Sequence, residues 1–311
     1  MTVGLFRLEL PDGSVRLARG AVESGPARLL AANLTVETIL RRGRDGLASA
    51  LRAGGDDTEV PAELMVPGGF RVLAPVDAQE VWAAGVTYAR SRDARMAESA
   101  DASPYDRVYA AERPELFFKA AAWRVRGPSQ TVGIRADSGW DVPEPELALV
   151  VSSDGAIAGY TLGNDVSSRT IEGENPLYLP QAKSYDGSCA LGPALVSYDA
   201  ASPPFDLHLL VIRDGATIVD ETTSTSRIRR PLEDLVAYLM RALDLPSGAI
   251  LLTGTGIVPQ PDFTLVPGDL VRIDGGPLGV LENTVVRVGR TGEARTAGAQ
   301  AVSGLDGSPS P

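Results

Sequence analysis

Short apolar runs cut by Pro and Gly turns fill this chain from about Pro75 to Arg290, and that punctuation restricts its fold more than any other feature. Runs of this length suit buried strands and are too short for a helical period. The expected strands are Val81 to Val86, Leu116 to Lys119, Glu146 to Val151, Ile157 to Gly163, Leu207 to Ile212, Ile250 to Thr253, Leu270 to Ile273 and Val285 to Val288. Turns at Ser153-Asp-Gly155, Asp214-Gly215 and Pro267-Gly268-Asp269 separate several of them. One helix stands out. Pro231 is expected to open it, Leu232, Leu235, Val236, Leu239, Met240 and Leu243 form its apolar stripe, and Pro246 closes it. The class expected is α+β, mostly β.

Residues 1 to 75 read as a small separate N-terminal unit. Leu5 to Leu10 and Ser14 to Arg19 alternate as a hairpin around Pro11-Asp12-Gly13. A helix is expected from Val36 to Arg52 with Ile39, Leu40, Leu47 and Leu51 on its apolar side, although Gly43 and Gly46 weigh against its continuity. A larger unit then runs from 76 to 290, and Thr291 to Pro311, rich in Gly, Ala and Ser, reads as a disordered tail.

Composition excludes several kinds of chemistry. The net charge of −11 argues against a nucleic-acid or anionic-membrane surface. No apolar run is long enough for a membrane span. The single Cys189 excludes an intrachain disulfide and fits a reducing cytoplasm. The single histidine, His208, lies in a strand-like run and reads as structural or surface, which argues against Ser-His-Asp and Cys-His catalysis. A Cys/His zinc site is likewise out of reach.

The candidate chemistry lies in three carboxylates. Glu144 and Glu146 in Val142-Pro-Glu-Pro-Glu-Leu-Ala-Leu-Val150 are spaced to share one face of a strand, with Leu147, Leu149 and Val151 on the other. Asp165 ends another apolar run in Gly163-Asn-Asp165. Like charges on one sheet face repel unless a positive charge sits between them, and a hard divalent cation with oxygen ligands would supply it: magnesium, manganese or calcium. The alternative is a solvated edge strand, with Pro145 marking the edge. Further polar residues follow. Arg169 and Glu172 lie at i+4 and i+7 from Asp165, and Lys183 sits in a run with almost no hydrophobic period. Thr253-Gly-Thr-Gly256 directly follows a strand and offers either an anion-binding backbone or a tight turn.

The order Glu-x-Glu, Asp-x-x-x-Arg-x-x-Glu, Lys, Leu-Gly-Pro, Thr-Gly-Thr resembles the fumarylacetoacetate hydrolase superfamily over about residues 75 to 290. The resemblance implies a mixed β-sheet roll, magnesium on Glu144, Glu146 and Asp165, an active-site lysine at Lys183, a carboxylate-holding threonine at Thr255, and homodimers or homotetramers. Hydrolases of the superfamily carry a water-activating His–Glu pair, where this chain has Ser91 and Ala94 within Gly85-Val-Thr-Tyr-Ala-Arg-Ser-Arg-Asp-Ala94. That segment and Ile171-Glu-Gly-Glu-Asn-Pro-Leu-Tyr-Leu-Pro-Gln-Ala-Lys183 are similar to the sugar-acid branch, the 2-dehydro-3-deoxy-D-arabinonate dehydratases, which form 2,5-dioxopentanoate. The activity so implied is a hydro-lyase reaction on a small 2-oxo acid through a metal-stabilised enolate. Lys183 would act as base or electrostatic stabiliser and Glu172 as acid. Arg169, Tyr88, Arg90 and Arg92 are further candidates to contact substrate. Hydrolysis, decarboxylation or isomerisation of another 2-oxo acid, and a non-catalytic metal-binding role, are the alternatives.

Overall fold

The computed structural model describes residues 1–289 except 53, 55–56 and 99–102. The segment 291–311 therefore lies outside the described residues. The expected hairpin forms from β1 (Val3–Glu9) and β2 (Val15–Ala21), with Gly13 at φ +81 in the turn. The short β3 (Arg28–Leu29) follows. The helix expected from Val36 to Arg52 is two helices, α1 (Val36–Leu40) and α2 (Gly46–Leu51). Gly43 at φ +77 ends the first, and a Cβ at Gly46 would lie 2.1 Å from the Ile39 carbonyl oxygen. Only glycine permits that fold-back. The apolar side is nonetheless the one expected, since Ile39, Leu40 and Leu47 are fully buried.

β4 (Thr58–Glu59) and β5 (Arg71–Leu73) complete the N-terminal strands, and β6 (Glu80–Gly85) begins the larger region. Two helices not anticipated from the sequence follow, α3 (Ala89–Glu98) and α4 (Ser103–Ala110). Then come β7 (Glu115–Ala120), β8 (Thr131–Arg135), β9 (Asp141–Val142), β10 (Pro145–Val151), β11 (Ile157–Asp165) and β12 (Ser167–Ser168). Two short helices, α5 (Arg169–Glu174) and α6 (Leu179–Lys183), lead to β13 (Cys189–Ser197), β14 (Asp206–Arg213) and β15 (Ala216–Ser224). The expected amphipathic helix is α7 (Leu232–Met240). Pro231 caps it from one residue outside, and Leu243 lies beyond its end, 37% exposed. β16 (Ala249–Leu252), β17 (Leu270–Asp274) and β18 (Val280–Val288) close the described chain.

The strands form an eleven-stranded sheet in the order β4-β3-β2-β1-β13-β11-β10-β16-β6-β7, with β5 also on β1. A five-stranded sheet runs β15-β14-β17-β18-β8, and β9 pairs with β12. Both large sheets are mixed: β6–β16 and β8–β18 are parallel pairs among antiparallel ones. The expected mostly-β, mixed-sheet architecture is therefore present. The larger sheet crosses residue 75 without a break, because β1 pairs with β13 (Leu5 opposite Leu195).

β10 shows how this frame places the acids. It lies between β11 and β16 and all seven of its residues are buried, so the edge-strand alternative does not hold. Pro145 stands at the first position of the strand, where its missing N–H is tolerated. Leu147, Leu149 and Val151 pack with Leu207, Leu209, Val211, Val271 and Ile273 of the second sheet and with Leu235 and Leu239 of α7. Ala148 and Val150 face the opposite way, toward Ile39, Leu40 and Leu47 of α1 and α2. Each fully buried leucine contributes about 1.5–3 kcal/mol, which holds the strand rigidly where its acids emerge. Among the described residues no helix is long and apolar enough to cross a membrane.

Candidate metal centre and active site

Glu144 and Asp165 meet because β10 and β11 are neighbours. The Asp165 amide donates to the Glu144 carbonyl at 2.9 Å, and the Glu144 amide donates to Asn164 Oδ1 at 3.1 Å. One carboxylate oxygen from each of Glu144, Glu146 and Asp165 lies within 4.8 Å of the others, and all three residues are buried. Burial, followed by the charges of Asp165 and Glu144, pushes the Glu146 carboxyl well above the usual carboxylate range. Its Oε2 accepts the Gly254 amide at 2.6 Å. Gly254 holds φ +86 just after β16, so the turn in Thr253-Gly-Thr-Gly256 aims a backbone donor at a ligand carboxylate.

Three cations surround the acids. Lys183, the last residue of α6, donates from Nζ to Glu144 Oε2 and Asp165 Oδ2, both at 2.9 Å, and to Ser167 Oγ at 2.6 Å. Arg169 opens α5, whose N-terminus is capped by Ser168 accepting from the Ile171 amide. Its guanidinium reaches Glu144 Oε1 at 2.9 Å and Glu172 Oε2 at 3.1 Å. The third cation, Lys119, escaped the sequence reading. Register shifts between β6 and β7 at this point (Trp82 opposite Phe118, Val81 opposite Ala120), and the unpaired Lys119 is turned onto Asp165 Oδ1. It also donates to the carbonyls of Val166 and Lys183. A lysine inside the apolar run Leu-Phe-Phe-Lys-Ala-Ala was the signal that could have found it.

These residues fit a hard divalent cation. The donors are oxygens only, and the three come from β10, from the residue just before it and from the neighbouring β11. Burial and the neighbouring Asp165 and Glu144 together hold the Glu146 carboxyl well above the usual carboxylate range, a position that a bound cation would relieve.

A narrow cavity opens onto the triad. Glu172, Lys183, Gly254 and Thr255 also line it, as do Gly85, Ser91, Glu115 and Phe117. Thr255 Oγ1 accepts from the Ile257 amide at 3.1 Å. Ser91, where a hydrolase would place histidine, accepts from the Tyr88 amide and donates to the Tyr88 carbonyl, which ties the start of α3. Four expected substrate contacts are not among the lining residues: Arg169, held behind Glu144 and Glu172, and Tyr88, Arg90 and Arg92. Tyr88 is buried, Arg90 pairs with Glu221 at 2.7 Å, and Arg92 pairs with Asp93 at 2.6 Å. His208 is on the other sheet, half-exposed, with Nε2 2.7 Å from Asp220. Cys189 is a buried free thiol paired in register with Asp165, and burial pushes it up to about 12.

A family model described as "Fumarylacetoacetate (FAA) hydrolase C-terminal" matches residues 80–286. A probable 2-keto-3-deoxyxylonate dehydratase of Haloferax volcanii is 47% identical over 255 residues, 81% of this chain and 86% of that one. A 2-dehydro-3-deoxy-D-arabinonate dehydratase of Saccharolobus solfataricus is 42% identical over 218 residues, 68% of this chain and 73% of the other. A solved structure of 2-keto-3-deoxy-D-arabinonate dehydratase complexed with magnesium and 2,5-dioxopentanoate superposes with a TM-score of 0.79 at 34% identity. The match covers 93% of this chain and all of that one.

Proposed function

The chain belongs to the fumarylacetoacetate hydrolase superfamily, and from that membership we propose that it is a magnesium-dependent hydro-lyase of 2-keto-3-deoxy sugar acids. The reaction would convert 2-dehydro-3-deoxy-D-arabinonate, or a close stereoisomer, to 2,5-dioxopentanoate and water. The observation that carries this reading is the triad closed by Lys183 in a cavity without histidine. That arrangement favours proton removal beside a keto group, and among the described residues the cavity lacks the His–Glu pair with which hydrolases of the superfamily activate water. The relatives named above support the substrate class.

Glu144, Glu146 and Asp165 would hold the cation, which supplies a Lewis acid for a 2-keto oxygen when bound. Lys183, at the edge of the triad, takes the proton from C3. Ser167 and the carbonyl-anchored end of α6 hold its amine in place. Glu172, oriented by Arg169, donates a proton to the hydroxyl leaving C4. Thr255, at the turn after β16, contacts the substrate carboxylate.

Incubation of the protein with 2-keto-3-deoxypentonates and magnesium, with products identified, tests the reading. We expect 2,5-dioxopentanoate to form and a chelator to abolish it. Lys183→Ala should lower turnover by about 100-fold or more while retaining metal. Glu146→Gln should weaken metal binding and activity together. Release of carbon dioxide in place of water, or full activity in chelator, sinks the proposal.

A further inference from the structure

One wall of the cavity forms where the chain leaves one strand and returns on its neighbour. It exits β6 at Gly85, runs through α3 and α4, and re-enters at Glu115 of β7, opposite Gly85 in the register. Gly85, Val86, Ser91, Glu115 and Phe117 all line the cavity on this side. The exit is strained. Val86 stands at φ +53, a left-handed conformation that a β-branched side chain resists, and such strain persists only where the surroundings hold it. The two helices cannot hold it alone, because segments of ten and eight residues are marginal without tertiary support.

We propose that Arg230 is a positioning residue for substrate binding: with its neighbour Arg229 it clasps both ends of the α3–α4 excursion and keeps the wall in its binding form. This rests on the dehydratase reading. Arg230 lies just ahead of α7, the helix end at which a cation is unfavourable. Its guanidinium turns instead to the C-terminal end of α4, where cations are favoured and carbonyls lack helical partners. It donates to the Glu112 carbonyl at 2.7 Å, to the Val108 carbonyl at 3.3 Å and to the Ala111 carbonyl. Glu112 is held a second time, its Oε1 accepting from Tyr238 Oη of α7 at 3.0 Å. These contacts fix the chain just before it reaches Glu115.

The same strap grips the exit. The Arg229 amide donates to the Thr87 carbonyl at 3.1 Å, beside the strained Val86, while Thr87 Oγ1 donates to the Thr253 carbonyl at 2.6 Å. The Arg229 guanidinium lies 4.8 Å from the centre of the Tyr109 ring of α4, and that of Arg92 in α3 lies 4.7 Å from it. Exit, helices and return are thus tied to one short segment between β15 and α7, and none of these ties is made to Glu144, Glu146 or Asp165. Without the clasp the binding form becomes one of several, and apparent affinity falls with the fraction of molecules still in it. Substrate that does bind restores the wall, so turnover of the bound complex is kept.

The test is steady-state kinetics on a 2-keto-3-deoxypentonate at saturating magnesium, comparing wild type with Arg230→Ala, Arg230→Lys and Tyr238→Phe. Arg230→Ala should raise KM about tenfold with kcat within about twofold, the split expected if about a tenth of the molecules keep the binding form. Arg230→Lys retains a donor cation and should recover part of that rise, which a mere packing defect would not predict. Tyr238→Phe should move KM in the same direction by a smaller factor, and these two variants carry the test should Arg230→Ala not fold. Magnesium affinity, read by calorimetry, should be unchanged. Amides of α3 and α4 should exchange with deuterium about tenfold faster in Arg230→Ala while those of β10 and β11 keep their rates. A lower kcat at unchanged KM, a parallel loss of magnesium affinity, or unchanged exchange in both helices overturns the proposal. If wild type leaves every 2-keto-3-deoxypentonate intact, the dehydratase reading fails, and the exchange rates of α3 and α4 alone decide whether the clasp holds.

Discussion

Replacing Lys119 by methionine would remove the donor that Asp165 Oδ1 shares with the carbonyls of Val166 and Lys183. Removing one partner of a buried ion pair strands the other, and the usual cost is about 3–5 kcal/mol. Lys119→Met should therefore lower the urea midpoint at unchanged slope, the product of slope and shift giving a stability loss of that order. Asp141 behaves in the opposite sense. Burial pushes its carboxyl up to about 6, and Oδ1 has no hydrogen-bond partner among the described residues. Its folded value lies above the unfolded one, so the native state binds the extra proton. The stability contributed is complete below about pH 4 and is lost as pH rises through about 6. Asp141→Asn should consequently stabilise the protein by about 1–2 kcal/mol at pH 8, after allowance for solvent screening, with the gain gone at pH 4. Denaturation curves at both pH values check this. At this scale the sequence was legible where an acid borders an apolar run, as at Glu146 and Asp165, and was not read at Lys119, whose apolar run passed as an ordinary strand. Glu115 carries no such mark, because an acid at the start of a strand is ordinary until the register sets it opposite Gly85.

Turns and strand ends do the positioning at the scale of elements. The turn after β16 brings Thr87 and Glu146 to one glycine. Thr87 Oγ1 donates to the Thr253 carbonyl at 2.6 Å, and a Cβ on Gly254 would lie 2.2 Å from Thr87 Oγ1. Gly254→Ala should cost more than about 1 kcal/mol in stability through its positive φ, and should weaken metal binding by displacing the amide held on Glu146. Melting temperature and metal titration read the two effects separately. Strands bounded by Pro and Gly turns were visible beforehand; β8, β13 and β15 were not. In β13 the Gly192-Pro193 pair has the look of a break, yet it lies inside a strand where the partner register shifts between Tyr160 and Leu162. Long-range pairing overrides local propensity there. The helices α3 and α4 were missed for a related reason. Charged residues crowd α3 and leave it little apolar periodicity to read, and α4 is a short eight-residue segment with Pro104 at its second position.

The molecule as a whole shares one ladder between its N-terminal strands and its acids, through β1, β13, β11 and β10. The order of elements in that ladder could not be read from the chain, since β1 and β13 are far apart in sequence and no local signal joins them. The paired position Asp165–Cys189 lies on it, next to the triad. A solitary thiol there is a built-in clock for the opening of the sheet. A thiol reagent reacts with the thiolate, and this sulfur is buried and held up to about 12, so labelling must wait for strands to part. Whatever binds the closed triad slows the clock by mass action. Magnesium at 100 times its dissociation constant should lengthen the labelling time about 100-fold, whereas an unchanged rate would mean that this end of the sheet breathes without disturbing the acids. The fold thus offers its own calibrated reporter, in which metal occupancy can be timed by sulfur chemistry before any substrate is known.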